Sequence, residues 1–169
     1  MKRTLILILA IATVLAVGST ATAQTSVFVV RHAERADAAA GTASMMATDP
    51  DLSETGQARA QSLAAALKDA GITAIYTTEY KRTRQTGEPL AKALGIEVTP
   101  VPARQMPALL EKLKSVTGNA LVIGHSNTVG EVIAGLGVSE AVKLTDNDYD
   151  NLFVVVRGEK PTLIRLHFR

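Results

Sequence analysis

The chain has 169 residues, 47% of them hydrophobic, and no cysteine. That is enough for one domain with a full core and too little for two, and a core of this size needs no disulfide staple. The formal net charge is +2, but Lys2 and Arg3 lie at the extreme N-terminus, and the rest of the chain carries 16 Lys and Arg against 16 Asp and Glu. A generally basic surface for nucleic acid is therefore excluded, and an aromatic content of 4% provides little for stacking bases or flat sugars.

The first 23 residues read as a signal peptide. A basic start at Lys2 and Arg3 precedes an apolar run over residues 5–17, and Ala21-Thr22-Ala23 supplies an A-x-A cleavage site. The run is short of the ~20 residues that a membrane span needs. An uncleaved N-terminal anchor is the alternative. A single domain over residues 24–169 is expected, periplasmic or secreted, with no stable membrane insertion after cleavage.

Residues 26–30 read as a strand whose continuous apolar run, Val27 to Val30, is the pattern of a parallel strand covered on both faces. Residues 36–51 are rich in Ala, Thr and Asp and read as a long loop. "LSETGQARAQSLAAALKDAG" is a helix with Ser53 or Thr55 as cap, an apolar stripe through Leu63, Leu67 and Ala70, and Gly71 as its end. "ITAIYTT" is the second strand. "TRQTGEPLAKALG" is a helix closed by Gly95, with Gly87 and Pro89 disturbing its start. "IEVTPVP" reads as an edge strand, since Pro100 and Pro102 donate no ladder hydrogen bond. Residues 108–116 are helical, "NALVIGH" is a buried strand, and residues 128–136 form a helix. "NLFVVVR" and "TLIRLHF", joined by "GEKP", make a hairpin. Strand–helix alternation followed by a hairpin predicts an α/β fold, a three-layer α/β/α sandwich around a mostly parallel sheet.

Open parallel sheets bind ligands outside the carboxyl ends of their strands. The first strand delivers Arg31 and His32 there, the second Thr77, Thr78, Glu79 and then Arg82, the third His125 and Ser126. Each alone is an ordinary surface or capping residue; their convergence on one edge is the signal. Arginine forks match phosphate oxygens, and neutral histidine is a nucleophile near pH 7. A second, protonated histidine stabilises a phosphoryl group in transfer. Phosphoryl transfer needs chiefly positioning and charge neutralisation, which these four residues supply.

Three motifs now fall in order: "RHAE" at Arg31–Glu34, "TTEYKRTRQT" with Arg82, Gln85 and Thr86, and "GHS" at Gly124–Ser126. With the helix start "LSETGQARA", they resemble the histidine phosphatase superfamily in its phosphoglycerate-mutase-like branch, and the chain resembles its compact members. The resemblance implies that His32 is phosphorylated, that Arg31, Arg82 and His125 hold the phosphate, and that water hydrolyses the phosphohistidine. The expected activity is metal-independent hydrolysis of phosphomonoesters, with no cofactor and a phosphorylated substrate. Ala33 stands where the family has Gly. The family's carboxylate general acid, carried on an insertion, has no counterpart in "VPARQMPALLEKLK". Glu34 is the substitute, with Glu79, Asp49 and Asp51 as rivals and an ion pair to Arg35 as its structural alternative. Arg35 is a third phosphate contact or a solvated side chain. Ser126 contacts substrate or caps the next helix.

Other readings are weaker. Zinc would want a third ligand such as Glu34 or His167, and no spacing places His167 at the active edge. "DNDYDN" fails as a calcium loop, with Asn151 at position six and Arg157 at position twelve. No G-K-[ST] makes a P-loop. A phosphate-binding protein without catalysis needs the arginines but not two imidazoles. A phosphomutase must be primed by a bisphosphate, which an exported protein would not meet.

Overall fold

The computed structural model describes residues 24–37 and 49–168. The expected signal peptide, 1–23, and the middle of the first long loop, 38–48, lie outside the described residues. The elements run β1 (Ser26–Arg31), α1 (Glu54–Leu67), β2 (Ile72–Thr77), α2 (Lys81–Leu94), β3 (Val98–Pro100), α3 (Met106–Ser115), β4 (Asn119–Gly124), α4 (Ser126–Gly135), β5 (Asn151–Val156) and β6 (Thr162–His167). They build one sheet in the order β3-β2-β4-β1-β5-β6. β1 to β4 pair in parallel, and the β5–β6 hairpin adds two antiparallel strands beside β1. This is the expected α/β sandwich, with the short, proline-ended β3 at one edge.

Alternation along β1 explains its unbroken apolar run. Val27 and Val29 pack with Leu109, Leu113, Val129 and Ile133 of α3 and α4. Val30 packs on the other face with Leu63, Leu67 and Leu90 of α1 and α2. A strand covered on both sides has no polar face to show. The strand order places the switch point between β1 and β4, whose ends are in register at Arg31 and Gly124. His32 N–H donates to the Gly124 carbonyl at 2.9 Å, so the residues after both strands leave the sheet side by side.

Ser53 caps α1, its Oγ accepting from Gly56 N–H at 3.1 Å. Gly56 is required for a different reason: a Cβ there would collide with the Glu34 carbonyl. Three helix starts fall earlier than the sequence pattern places them, α3 at Met106 rather than 108, and those of α2 and α4 by two residues each. α2 begins at Lys81 because Asp49, distant in sequence, caps it, both carboxylate oxygens accepting from Lys81 N–H at 3.0 Å. Gly87 lies inside α2 because its bare Cα packs on the sheet, where a Cβ would press Ile123 at 2.9 Å. α4 begins at Ser126 because His125 is its N-cap, with His125 N–H donating to Thr128 Oγ1 at 2.8 Å. Ser126 is thus the first helical residue rather than the cap. Among the described residues, no helix is long and apolar enough to cross a membrane.

Candidate active site

The switch point brings together every residue that the strand-end argument selected. His32 leaves β1 buried, 4% exposed, and its Nδ1 lies 2.7 Å from the Ala33 carbonyl. A carbonyl only accepts, so Nδ1 carries the proton and Nε2 keeps its lone pair. Burial, then the fields of His125, Arg31 and Arg82, hold its pKa down to about 3, against the Ala33 bond that favours charge. The His32 ring is therefore neutral across the physiological range. The Ala33 methyl is accommodated beside Leu52 and Ala60, so the departure from glycine is absorbed by packing. The Ala33 N–H donates to Thr86 Oγ1 at 3.0 Å, which in turn donates to the Arg82 carbonyl at 2.7 Å. Thr86 thereby ties the loop after His32 to α2.

His125 faces His32 edge to face, with ring centroids 5.3 Å apart. Its Nδ1 accepts from Arg82 at 3.5 Å, and its Nε2 lies 3.0 Å from Thr78 Oγ1. Nε2 is therefore the donor. Thr78 hydroxyl is in turn 2.9 Å from Thr83 Oγ1, whose own proton goes to the Tyr80 carbonyl at 2.8 Å. The chain of donors runs one way, from imidazole to backbone. Burial first, then Arg82, lowers the His125 pKa to about 4, with Glu79 acting against them. Burial among arginines thus disfavours charge on both imidazoles, and the protonated His125 expected during phosphoryl transfer is opposed by its surroundings.

Two of the chain's three tyrosines back the arginines. The Arg31 guanidinium lies 4.2 Å from the Tyr149 ring centroid, and Arg82 lies 4.4 Å from that of Tyr80. Arg31 donates to the Thr145 carbonyl at 2.9 Å and lies 3.5 Å from the Asp146 carboxylate, while Arg82 lies 3.6 Å from Asp49. The Nε of both is buried without a hydrogen-bond partner among the described residues. Arg35 pairs with Asp37 at 3.2 Å, and its charge is one of the causes that lower the pKa of both Arg82 and His125. Ser126 Oγ donates to Asp146 at 3.3 Å beside Arg31.

Glu34 stands elsewhere. Both its oxygens accept from Arg59 of α1, with Nε at 2.8 and 2.9 Å and Nη2 at 2.6 Å. The expected partner was Arg35, and the expected role was proton donor. A carboxylate held bidentately by a guanidinium is an acceptor, and the guanidinium that holds it belongs to α1. Glu79 takes a bond from Ala103 N–H at 2.8 Å, and Asp51 one from Gln85 Nε2 at 2.9 Å. The antiparallel hairpin returns His167 to the same sheet edge, where it bonds Asp150 at 3.1 Å. Among the described residues no three His, Asp or Glu side chains gather as a metal site. Tyr149, Tyr80 and Arg59 were missed by sequence reasoning. The signal for Arg59 was available, since Glu34 needs a partner and "LSETGQARA" carries one.

The arrangement sets two guanidiniums beside an unprotonated imidazole nitrogen, a donor set whose chemistry suits a tetrahedral oxyanion. The family model for the histidine phosphatase superfamily (branch 1) matches residues 27–111, which include Arg31, His32 and Arg82. No curated protein sequence matches. Among solved structures, the protein histidine phosphatase SixA complexed with tungstate superposes with a TM-score of 0.67 at 20% identity, over 85% of this chain and 97% of that one. The alpha-ribazole phosphatase from Shigella flexneri gives 0.70 at 15% identity, over 85% and 96%. Phosphoglycerate mutase from Bacillus anthracis gives 0.65 at 16%, over 84% and 92%. These likenesses share the fold across hydrolases and a mutase, and with the family match over half the sequence they lead to one conclusion: the chain belongs to branch 1 of the histidine phosphatase superfamily.

Proposed function

We propose that the protein is an exported, metal-independent phosphatase that hydrolyses phosphomonoesters through a phosphohistidine on His32. The observation that carries this reading is the His32 tautomer. With Nδ1–H bound to the Ala33 carbonyl and charging disfavoured by burial, Nε2 is the nucleophilic atom of the His32 ring and it is unprotonated. SixA binds tungstate, a tetrahedral oxyanion, on the same fold.

In this reading Arg31 and Arg82 neutralise the phosphoryl oxygens, with Arg35 as a third cation and Ser126 at the rim. Bound dianion opposes the arginine fields and raises the His125 pKa, so a proton settles on Nδ1, the nitrogen not already donating to Thr78. The His32 Nε2 lone pair forms the N–P bond as the ester P–O bond breaks, and the His125 proton passes to the leaving oxygen. Water then attacks phosphorus and returns a proton to His125. The N–P bond breaks, and inorganic phosphate leaves. Glu34 takes no proton in this scheme. Export rests on the N-terminal pattern of basic residues, apolar run and A-x-A site.

The test is phosphate release from p-nitrophenyl phosphate in the presence of EDTA. Turnover is expected to survive the chelator and to fall by at least about 10³-fold in His32→Ala, which removes the nucleophile. Acid-labile ³²P label on the wild type, absent in the variant, identifies the intermediate. Activity lost to EDTA, or retained by His32→Ala, overturns the reading.

A further inference from the structure

Beside the phosphate site lies an open cleft of about 750 Å³, walled by α1 and by the segment before β5. Its lining includes Glu34, Arg59, Ser62, Asn147, Tyr149 and Asp150. Tyr149 is the shared wall: one face supports Arg31, and its ring centroid is 6.3 Å from that of His32. Glu34 lies two residues beyond the nucleophile. The cleft volume falls within the range that encloses a small organic ligand.

Its charge differs from that of the phosphate site. Arg59 is the single cation in the lining, and Glu34 holds it bidentately. Asp150 remains as a second carboxylate, one oxygen bonded by His167 at 3.1 Å and the other by Asn151 Nδ2 at 3.5 Å. The remaining polar groups are neutral hydroxyls and an amide. Arg31, Arg35 and Arg82 are not among the residues that line it. Nothing in the cleft matches a second phosphate or a carboxylate, and the excess of carboxylates repels one.

Resting on the phosphatase reading above, we infer that this cleft is the leaving-group subsite and selects phosphomonoesters whose alcohol is polar and uncharged or cationic, against those carrying a second anion. Hydroxyls of the alcohol meet Glu34, Asp150 and Asn147, and a cationic group is favoured by a lining with two carboxylates and one guanidinium. The same feature disfavours bisphosphates.

The test compares kcat/KM for phosphocholine, glucose 6-phosphate and 3-phosphoglycerate in the wild-type protein and in Asp150→Lys. Each readout is a ratio between esters within one preparation, so any loss of folded protein cancels. The wild type is expected to prefer the first two over 3-phosphoglycerate by about tenfold or more, and Asp150→Lys to shrink that preference at least about fivefold. Equal rates in the wild type, or a preference untouched by Asp150→Lys, overturn the subsite. No turnover of any of the three, or of p-nitrophenyl phosphate, overturns the phosphatase reading and the subsite with it. The presence or absence of turnover tells the two failures apart.

Discussion

At the scale of single residues, the site depends on which ring nitrogen holds each proton. His32 is set by one backbone carbonyl, His125 by a relay through Thr78 and Thr83 to the Tyr80 carbonyl. Thr78 touches no reacting atom in the proposed mechanism; it positions His125. Thr78→Val keeps the volume but removes the acceptor for Nε2–H, leaving the ring free to turn. We expect kcat to fall about tenfold, with Thr78→Ser close to wild type. Ring ¹⁵N shifts of His125 should report a mixed tautomer in Thr78→Val. A single Nε2–H tautomer together with an unchanged kcat would remove the relay from the mechanism. Arg31, His32, Arg82 and His125 were legible because each follows a strand at the binding edge. The partner of Glu34 was not, because Arg59 is 25 residues away and only the packing of α1 brings it back.

At the scale of elements, the nucleophile's loop is pinned by its neighbours. Ser53 N–H donates to the Glu34 carbonyl and Ala36 N–H to that of Asp51, both at 2.9 Å, closing the two ends of the long loop on each other. Gly56 lets α1 approach this junction. Gly56→Ala forces Glu34 and α1 apart, and destabilisation of about 1–3 kcal/mol is expected from overpacking against backbone. Urea unfolding measures it, and a variant as stable as wild type would show that the contact is loose. The helix boundaries that the pattern missed have the same origin. α2 is capped by Asp49 and α4 by His125, and neither is a cap that the local sequence announces. Asp49 reaches its helix from across the fold, and His125, though adjacent to its helix, is not one of the residue types that usually cap.

At the scale of the whole molecule, burying two neutral histidines couples stability to pH. Both have folded-state pKa values below the ordinary 6.5, about 3 for His32 and about 4 for His125. The unfolded chain therefore binds more protons between pH 6.5 and those values. The stability they contribute is complete above pH 6.5 and is lost as pH falls toward 4 and then 3. For His32 alone the loss is about 2 kcal/mol by pH 5. Thermal midpoints measured from pH 7.5 to 4.5 should fall more steeply for wild type than for His32→Asn, which has no such proton to bind. Parallel slopes would contradict the burial account. The sequence by itself determined the sandwich, the sheet edge and the convergence of Arg31, His32, Arg82 and His125 there, because alternation of apolar residues specifies covered strands and a strand end specifies where its next residue emerges. Only the tertiary structure decided the neutral state of His125, the bond of Glu34 to Arg59 and the tyrosines behind the arginines. Those follow from burial and from contacts between distant segments, which no spacing along the chain encodes.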